Sequence, residues 1–186
     1  MRDGELVFGV MCGSLRKGSY NRLLGEAMAR LAPDGVRLQN LPSIGDVPHF
    51  DEDLHGERVP DSVEALAQAV RDADAVIISV PEYNYSFPGV LKNAVDWLSW
   101  TKPQPFANKP VFIMSASPHP YGGSRGQLHF RQVLVAVNAV VLPRPEVIVA
   151  NADEKFDEEG RLTDERTREF LGKALNGLQD YVRRFA

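Results

Sequence analysis

A chain of 186 residues with 44% hydrophobic and 25% charged residues is long enough to bury a sizeable core, and its make-up argues against long disorder or a fibrous repeat. Its net charge of −4 supplies no basic footprint for nucleic acid or an anionic membrane, and no apolar run approaches the roughly 20 residues a membrane helix needs. A single cysteine, Cys12, rules out an internal disulfide and a cysteine-based zinc site.

One domain over residues 1–186 is expected. The N-terminus Met1-Arg2-Asp3-Gly4-Glu5 is charged and lacks the apolar segment of a secretory signal, so the expectation is a cytoplasmic protein.

The first apolar run, Leu6 to Cys12, reads as a buried strand, and Cys12 at its end as an inert core thiol rather than a redox nucleophile. The turn Gly13-Ser14-Leu15-Arg16-Lys17-Gly18-Ser19-Tyr20-Asn21 follows. A strand that ends in small and hydroxylated residues and runs straight into a helix directs unpaired N–H groups and the positive helix end to one point. Ser14, Ser19 and Asn21 add neutral donors, and Arg16 a fork of N–H groups. Two other phosphate loops are excluded. Gly13 and Gly18 have P-loop spacing, but Ser19 and Tyr20 replace the Lys and Ser/Thr that should follow. The dinucleotide fingerprint is absent, since Leu15 stands at its second glycine. The turn alone reads either as an anion site or as a serine-rich helix cap.

Leu24, Ala27, Met28 and Leu31 form a helical stripe closed by Pro33, and Val36 to Leu41 alternates as an edge strand. From Pro42 to Pro60 no period is visible, which predicts a long surface loop. Its His49, Asp51, Glu52, Asp53 and His55 match neither a calcium loop nor a zinc motif and read as a solvated charge run, so no metal site is expected. Asp61 and Glu64 resemble a capping box before the stripe Val63, Leu66, Ala67 and Val70.

Ala75 to Val80 is apolar except for Ser79, as a strand covered on both faces should be. Pro81-Glu82-Tyr83-Asn84-Tyr85-Ser86-Phe87-Pro88-Gly89 then joins it to a helix with Pro88 as first residue and Leu91, Ala94, Val95 and Leu98 as its core stripe. The strand Pro110 to Ala116 leads into Ser117-Pro118-His119-Pro120-Tyr121-Gly122-Gly123-Ser124 and a helix carrying Phe130, Val133, Leu134 and Val137. Ala139 to Leu142 begins a fifth strand, interrupted by Pro143 and Pro145 and resumed at Val147 to Ala150. A last helix, capped at Thr163, packs through Leu171, Ala174, Leu175 and Leu178. Alternating strands and helices imply an open parallel α/β sheet with helices on both faces. Ligands of such sheets bind beyond the carboxyl ends of the strands, where the loops at Gly13, Pro81 and Ser117 all lie.

Two of these loops, Gly13 to Asn21 and Pro81 to Trp97, together with the segment Gly122-Gly123-Ser124-Arg125-Gly126-Gln127 through Leu134, make the chain resemble the NADPH-dependent FMN reductase family, in particular its quinone and chromate reductase branch. The resemblance covers almost the whole chain. It implies a flavodoxin-like three-layer sandwich with a five-stranded parallel sheet in the order 2-1-3-4-5, FMN as bound cofactor, and NADPH or NADH as donor. The FMN phosphate then falls to Ser14, Arg16, Ser19 and Asn21, and the isoalloxazine ring to Pro81, Glu82, Tyr83 and Asn84 with Ser117 facing them. Tyr83 and Tyr85 are otherwise readable as packing residues. Glu82 is expected to position rather than to donate protons, because hydride transfer needs no acid, and no catalytic side chain is expected beyond the cofactor.

The same resemblance implies a ping-pong reductase acting on quinones or on acceptors such as chromate, azo dyes and nitroaromatics. A flavodoxin-like carrier of single electrons between proteins is the alternative. Relatives assemble as tetramers through a Tyr, Arg, Tyr and Glu network, which implies a homodimer or homotetramer here with Tyr85, Arg125 and Glu146 at the subunit interface. Leu128 stands in place of the second tyrosine.

Overall fold

A computed structural model describes residues 4–55 and 59–185; expectations that fall on residues 1–3, 56–58 and 186 lie outside the described residues. Strands β1 (Leu6–Cys12), β2 (Val36–Asn40), β3 (Ala75–Ser79) and β4 (Pro110–Ala116) are joined by helices α1 (Tyr20–Arg30), the short α2 (Glu52–His55), α3 (Asp61–Asp72) and α4 (Gly89–Trp100). Then come α5 (Ser124–Ala136), β5 (Val140–Val141), β6 (Val147–Val149) and α6 (Glu165–Phe185).

The strands are all parallel, in the order β2-β1-β3-β4-β5, with β6 also paired to β4. This is the flavodoxin-like order. Strands β5 and β6 share the outer edge of β4: Val140–Val141 pair with Pro110–Val111, and Val147–Val149 with Met114–Ala116. Pro143 and Pro145 separate the two pieces, because a proline cannot donate to a ladder. The interrupted fifth strand expected from sequence is therefore two short strands in one position of the sheet.

Side-chain alternation splits the core into two layers. Leu6, Phe8, Ala75, Ile77, Phe112 and Met114 pack under α1 and α6, whereas Met11, Val76, Ile78, Val111 and Ile113 pack under α3, α4 and α5. Both faces of the central strands are covered. That is why they read as unbroken apolar runs.

Three local expectations are corrected. The capping box at Asp61 does not form: Pro60 occupies the N-cap position and Glu64 turns instead to Arg71. Pro88 precedes α4 as its N-cap rather than opening the helix. The last helix is capped by Asp164, whose Oδ1 accepts from Thr167 N at 2.9 Å, while Thr163 donates its N–H and hydroxyl to the Lys155 carbonyl and closes the preceding loop. The stretch after Pro42 also contains more order than its composition suggests. The Pro48 carbonyl accepts from Asn93 Nδ2 at 2.8 Å and Trp97 Nε1 at 2.9 Å, and Phe50 N donates to Asn93 Oδ1 at 2.7 Å. Residues 48–50 are thereby pinned to α4.

Candidate active site

Beyond the carboxyl ends of β1, β3 and β4 lies a cleft of about 270 Å3, lined by Ser14, Arg16, Ser19, Tyr20, Asn21, Pro81, Glu82, Tyr83, Ala116, Ser117, Pro118 and His119. Eight of the nine residues expected around a cofactor line it; Asn84 does not. A larger hollow of about 600 Å3 lies elsewhere, between α4 and α5, and contains none of the nine.

The loops meet because glycines permit it. A Cβ on Gly13 would come within 2.8 Å of both Pro81 Cδ and the Ser79 carbonyl oxygen, so only glycine lets the first turn lie against the second. A Cβ on Gly126 would lie 3.1–3.3 Å from the Pro81 and Ser86 carbonyls and Glu82 Cα, which is how the 81–86 segment reaches the first turn of α5.

The first turn is built to hold an anion. Ser14 and Ser19 are buried, and their hydroxyl oxygens accept from Arg16 N and Asn21 N, each at 3.3 Å, leaving each hydroxyl hydrogen free to donate. Among the described residues no acceptor meets the N–H groups of Lys17, Gly18 and Tyr20. These orphan donors sit at the N-terminus of α1, where the helix dipole favours negative charge, and α1 has no acidic residue in its first turn. A phosphate fits this donor set.

Asn21 does a different job from its neighbours. Its Nδ2 donates to the Ala116 carbonyl at 2.8 Å and its Oδ1 accepts from Ala116 N at 3.1 Å, in a buried setting. It straps α1 to the end of β4 and is not the exposed turn residue its sequence position suggests.

The second loop is a tight turn in which Tyr83 and Ser86 exchange backbone hydrogen bonds while Asn84 and Tyr85 take φ of 51° and 66°. Asparagine tolerates this conformation, whereas a tyrosine there costs roughly 1–2 kcal/mol. Asn84 therefore shapes the turn at its exposed tip, away from the cleft. The strain on Tyr85 is offset by Arg125, whose guanidinium carbon lies 3.9 Å from the Tyr85 ring centre and 4.4 Å from that of Tyr121.

Glu82 faces the cleft from this loop, with its side chain only 10% exposed. Its Oε2 accepts from Arg125 N at 3.1 Å and its Oε1 from Arg125 Nε at 2.5 Å. The carboxylate thus caps α5 and pairs with Arg125 at once.

The third loop is shaped by Ser115 and Gln127. Ser115 Oγ donates to the Gly122 carbonyl at 2.6 Å and accepts from Gln127 Nε2 at 2.7 Å, and the same Nε2 donates to the Val147 carbonyl at 2.8 Å. Gly123, at φ 89°, lies against Ser115 where a Cβ would come within 2.8 Å. Ser117 Oγ accepts from His119 N at 3.2 Å, which turns the loop over the cleft.

Tyr20, Ala116, Pro118 and His119 line the cleft without having been singled out from sequence. Tyr20 and His119 fall inside the loops already chosen, and that was the only signal available. Of the residues expected at a subunit interface, Tyr85 packs on Arg125 and Glu146 pairs with Arg144 Nη1 at 3.3 Å within the chain. Burial holds the Arg131 guanidinium below its usual range, with Glu146 opposing and Arg144 reinforcing that shift.

The model of a known family, described as NADPH-dependent FMN reductase, matches residues 7–154. The chain belongs to the NADPH-dependent FMN reductase family. It is accordingly an oxidoreductase that uses FMN with NAD(P)H as electron donor. It is 42% identical over 184 residues to an NAD(P)H-dependent FMN reductase of Pseudomonas aeruginosa, covering 99% of this chain and 98% of that one. It is 43% identical over 176 residues to a quinone reductase of Escherichia coli strain K12, covering 94% of each. Among solved structures, FerB, a flavoenzyme NAD(P)H:(acceptor) oxidoreductase from Paracoccus denitrificans, superposes with a TM-score of 0.88 at 33% identity, covering 97% of this chain and 98% of that one.

Proposed function

We propose that this member of the family is an NAD(P)H-dependent quinone reductase that holds one FMN noncovalently in the cleft between the turns at Gly13, Pro81 and Ser117. The observation that carries the reading is the meeting of eight of the nine expected residues, from three separate loops, on one cleft whose first turn offers free N–H groups and hydroxyls. The acceptor class is supported by relatives that are quinone reductases, among them a 2-hydroxy-1,4-benzoquinone reductase from a Burkholderia species at 34% identity.

In this reading Ser14, Ser19 and the N–H groups of Lys17, Gly18 and Tyr20 hold the phosphate, with Arg16 approaching from solvent. Asn21 keeps α1 and β4 at the spacing the phosphate needs. Pro81, Glu82 and Tyr83 bracket the ring on one side and Ser117 on the other, while Asn84 sets the turn from outside. FMN, when bound, supplies a ring that accepts a hydride and passes two electrons on; the loops supply geometry. Tyr83 is 52% exposed at the mouth, which suits a donor and an acceptor that enter one after the other, a ping-pong order. Glu82 is engaged by Arg125 and holds a place rather than moving a proton.

The reading extends to a homodimer or homotetramer, with exposed Tyr85, Tyr121 and Leu128 near a neighbouring subunit. Light scattering at micromolar concentration is expected to give a dimer or larger, and a monomer overturns this part. The functional test is a panel of quinones, chromate, azo dyes and nitroaromatics ranked by kcat/KM with NADPH and with NADH. Quinones are expected to lead. Protein that takes up no flavin, or that selects FAD over FMN, ends the reading.

A further inference from the structure

Glu82 is the only carboxylate among the residues lining the cleft, and it is nearly buried. A lone carboxylate beside a flavin ring opposes reduction, because two-electron reduction places negative charge on the ring near neutral pH. Arg125 answers that charge from within the same chain. Its backbone N–H and its Nε both donate to Glu82, and its guanidinium is packed by the rings of Tyr85 and Tyr121. Those two rings come from the two loops that flank the cleft, so one guanidinium ties both loops to the first turn of α5.

Resting on the cleft as the flavin site, we propose that Arg125 is a positioning residue that sets the flavin's reduction potential and holds the 81–86 loop, by neutralising Glu82 and pinning the strained turn at Tyr85. The guanidinium is committed in three ways inside the chain, and Glu146 is already beside Arg144. Tyr121, which no sequence argument had marked, is the second wall of the clamp. Arginine is suited to this site because its planar fork can accept a carboxylate edge-on while its faces stack; lysine retains the charge but neither the fork nor the stack.

The experiment compares wild type, Arg125→Gln, Arg125→Lys, Glu82→Gln and the Glu82→Gln/Arg125→Gln double variant as full chains loaded with FMN. FMN dissociation constants, midpoint potentials and melting of the apo forms are measured for each. Arg125→Gln should weaken FMN binding about tenfold or more and lower the potential by on the order of 30 mV, a tenfold change in a two-electron equilibrium. Arg125→Lys should keep the potential near wild type while still losing affinity. The double variant should recover the potential, because the offending charge is gone, without recovering the affinity. Glu82→Gln alone should raise the potential, which keeps the test open if Arg125→Gln fails to fold. An Arg125→Gln protein that folds with unchanged potential and affinity overturns the proposal, as does one whose sole defect is a smaller assembly. Wild-type protein that binds no FMN instead overturns the reading of the cleft.

Discussion

Asn21 and Ala116 exchange two hydrogen bonds across 95 residues of sequence, the amide of one side chain satisfying both backbone groups at the end of β4. This pair fixes the distance between the first turn and the loop at Ser117, and therefore the width of the cleft. Asn21→Ala leaves a buried N–H and a buried carbonyl without partners, at about 1–3 kcal/mol for each group. The apo protein should lose roughly 4–24 °C in melting temperature, at about 2–4 °C per kcal/mol for a chain of this size. Arg16 is exposed, so Arg16→Ala should leave the apo melting point unchanged and weaken FMN binding. Melting curves with and without FMN separate the two effects.

That contrast shows what sequence can and cannot tell. The edges of β1 and β4 were legible because Leu6–Cys12 and Pro110–Ala116 are apolar runs with turn residues at their ends, and the cleft was legible because three loops of unusual composition follow such runs. The partner of Asn21 was not, since nothing local in Gly13 to Asn21 points to residue 116. The pairing of Glu82 with Arg125 is likewise set by how the 81–86 turn folds onto α5, which depends on two consecutive residues with positive φ, one of them a tyrosine. The start of α6 was hard to place for a simpler reason, since Thr163 and Asp164 both suit an N-cap and only geometry chooses between them; at α3 the N-cap position falls to Pro60, which has no side-chain acceptor to signal it.

Gly13 is where the first two loops of the cleft touch. Gly13→Ala would drive a methyl group to within 2.8 Å of the Ser79 carbonyl oxygen, a backbone atom with no freedom to withdraw. Stability should fall by about 1–3 kcal/mol, the usual cost of overpacking, and FMN affinity should fall with it. Gly18→Ala, where nothing lies within 4 Å of the added Cβ, is the control and should change the apo melting point little. Thermal melts followed by flavin titration check both.

At the start of α6, Asp164→Ala should cost about 1 kcal/mol, the typical value of an N-cap, whereas Thr163→Ala should leave the helix start intact. The Thr167 side chain, and then its backbone N–H, hold the Asp164 carboxyl below its usual range. A carboxyl whose pKa is lower when folded adds stability that is present above its unfolded value and lost as pH falls through the folded one. Wild type should therefore lose this increment on acidification through and below the ordinary carboxylate range near pH 4, and Asp164→Asn should show a flatter acid limb. Urea denaturation between pH 7 and pH 3 reads the difference.

Anaerobic mixing of the FMN-loaded protein with NADPH or NADH, followed by addition of a quinone, puts the reductase reading to its most direct trial. The flavin absorbance should bleach rapidly to the two-electron state with at least one of the nicotinamides and return when quinone is added, with no second protein present. A flavin that stays oxidised with both nicotinamides, yet accepts single electrons from a reductase protein, would contradict it and identify a carrier instead.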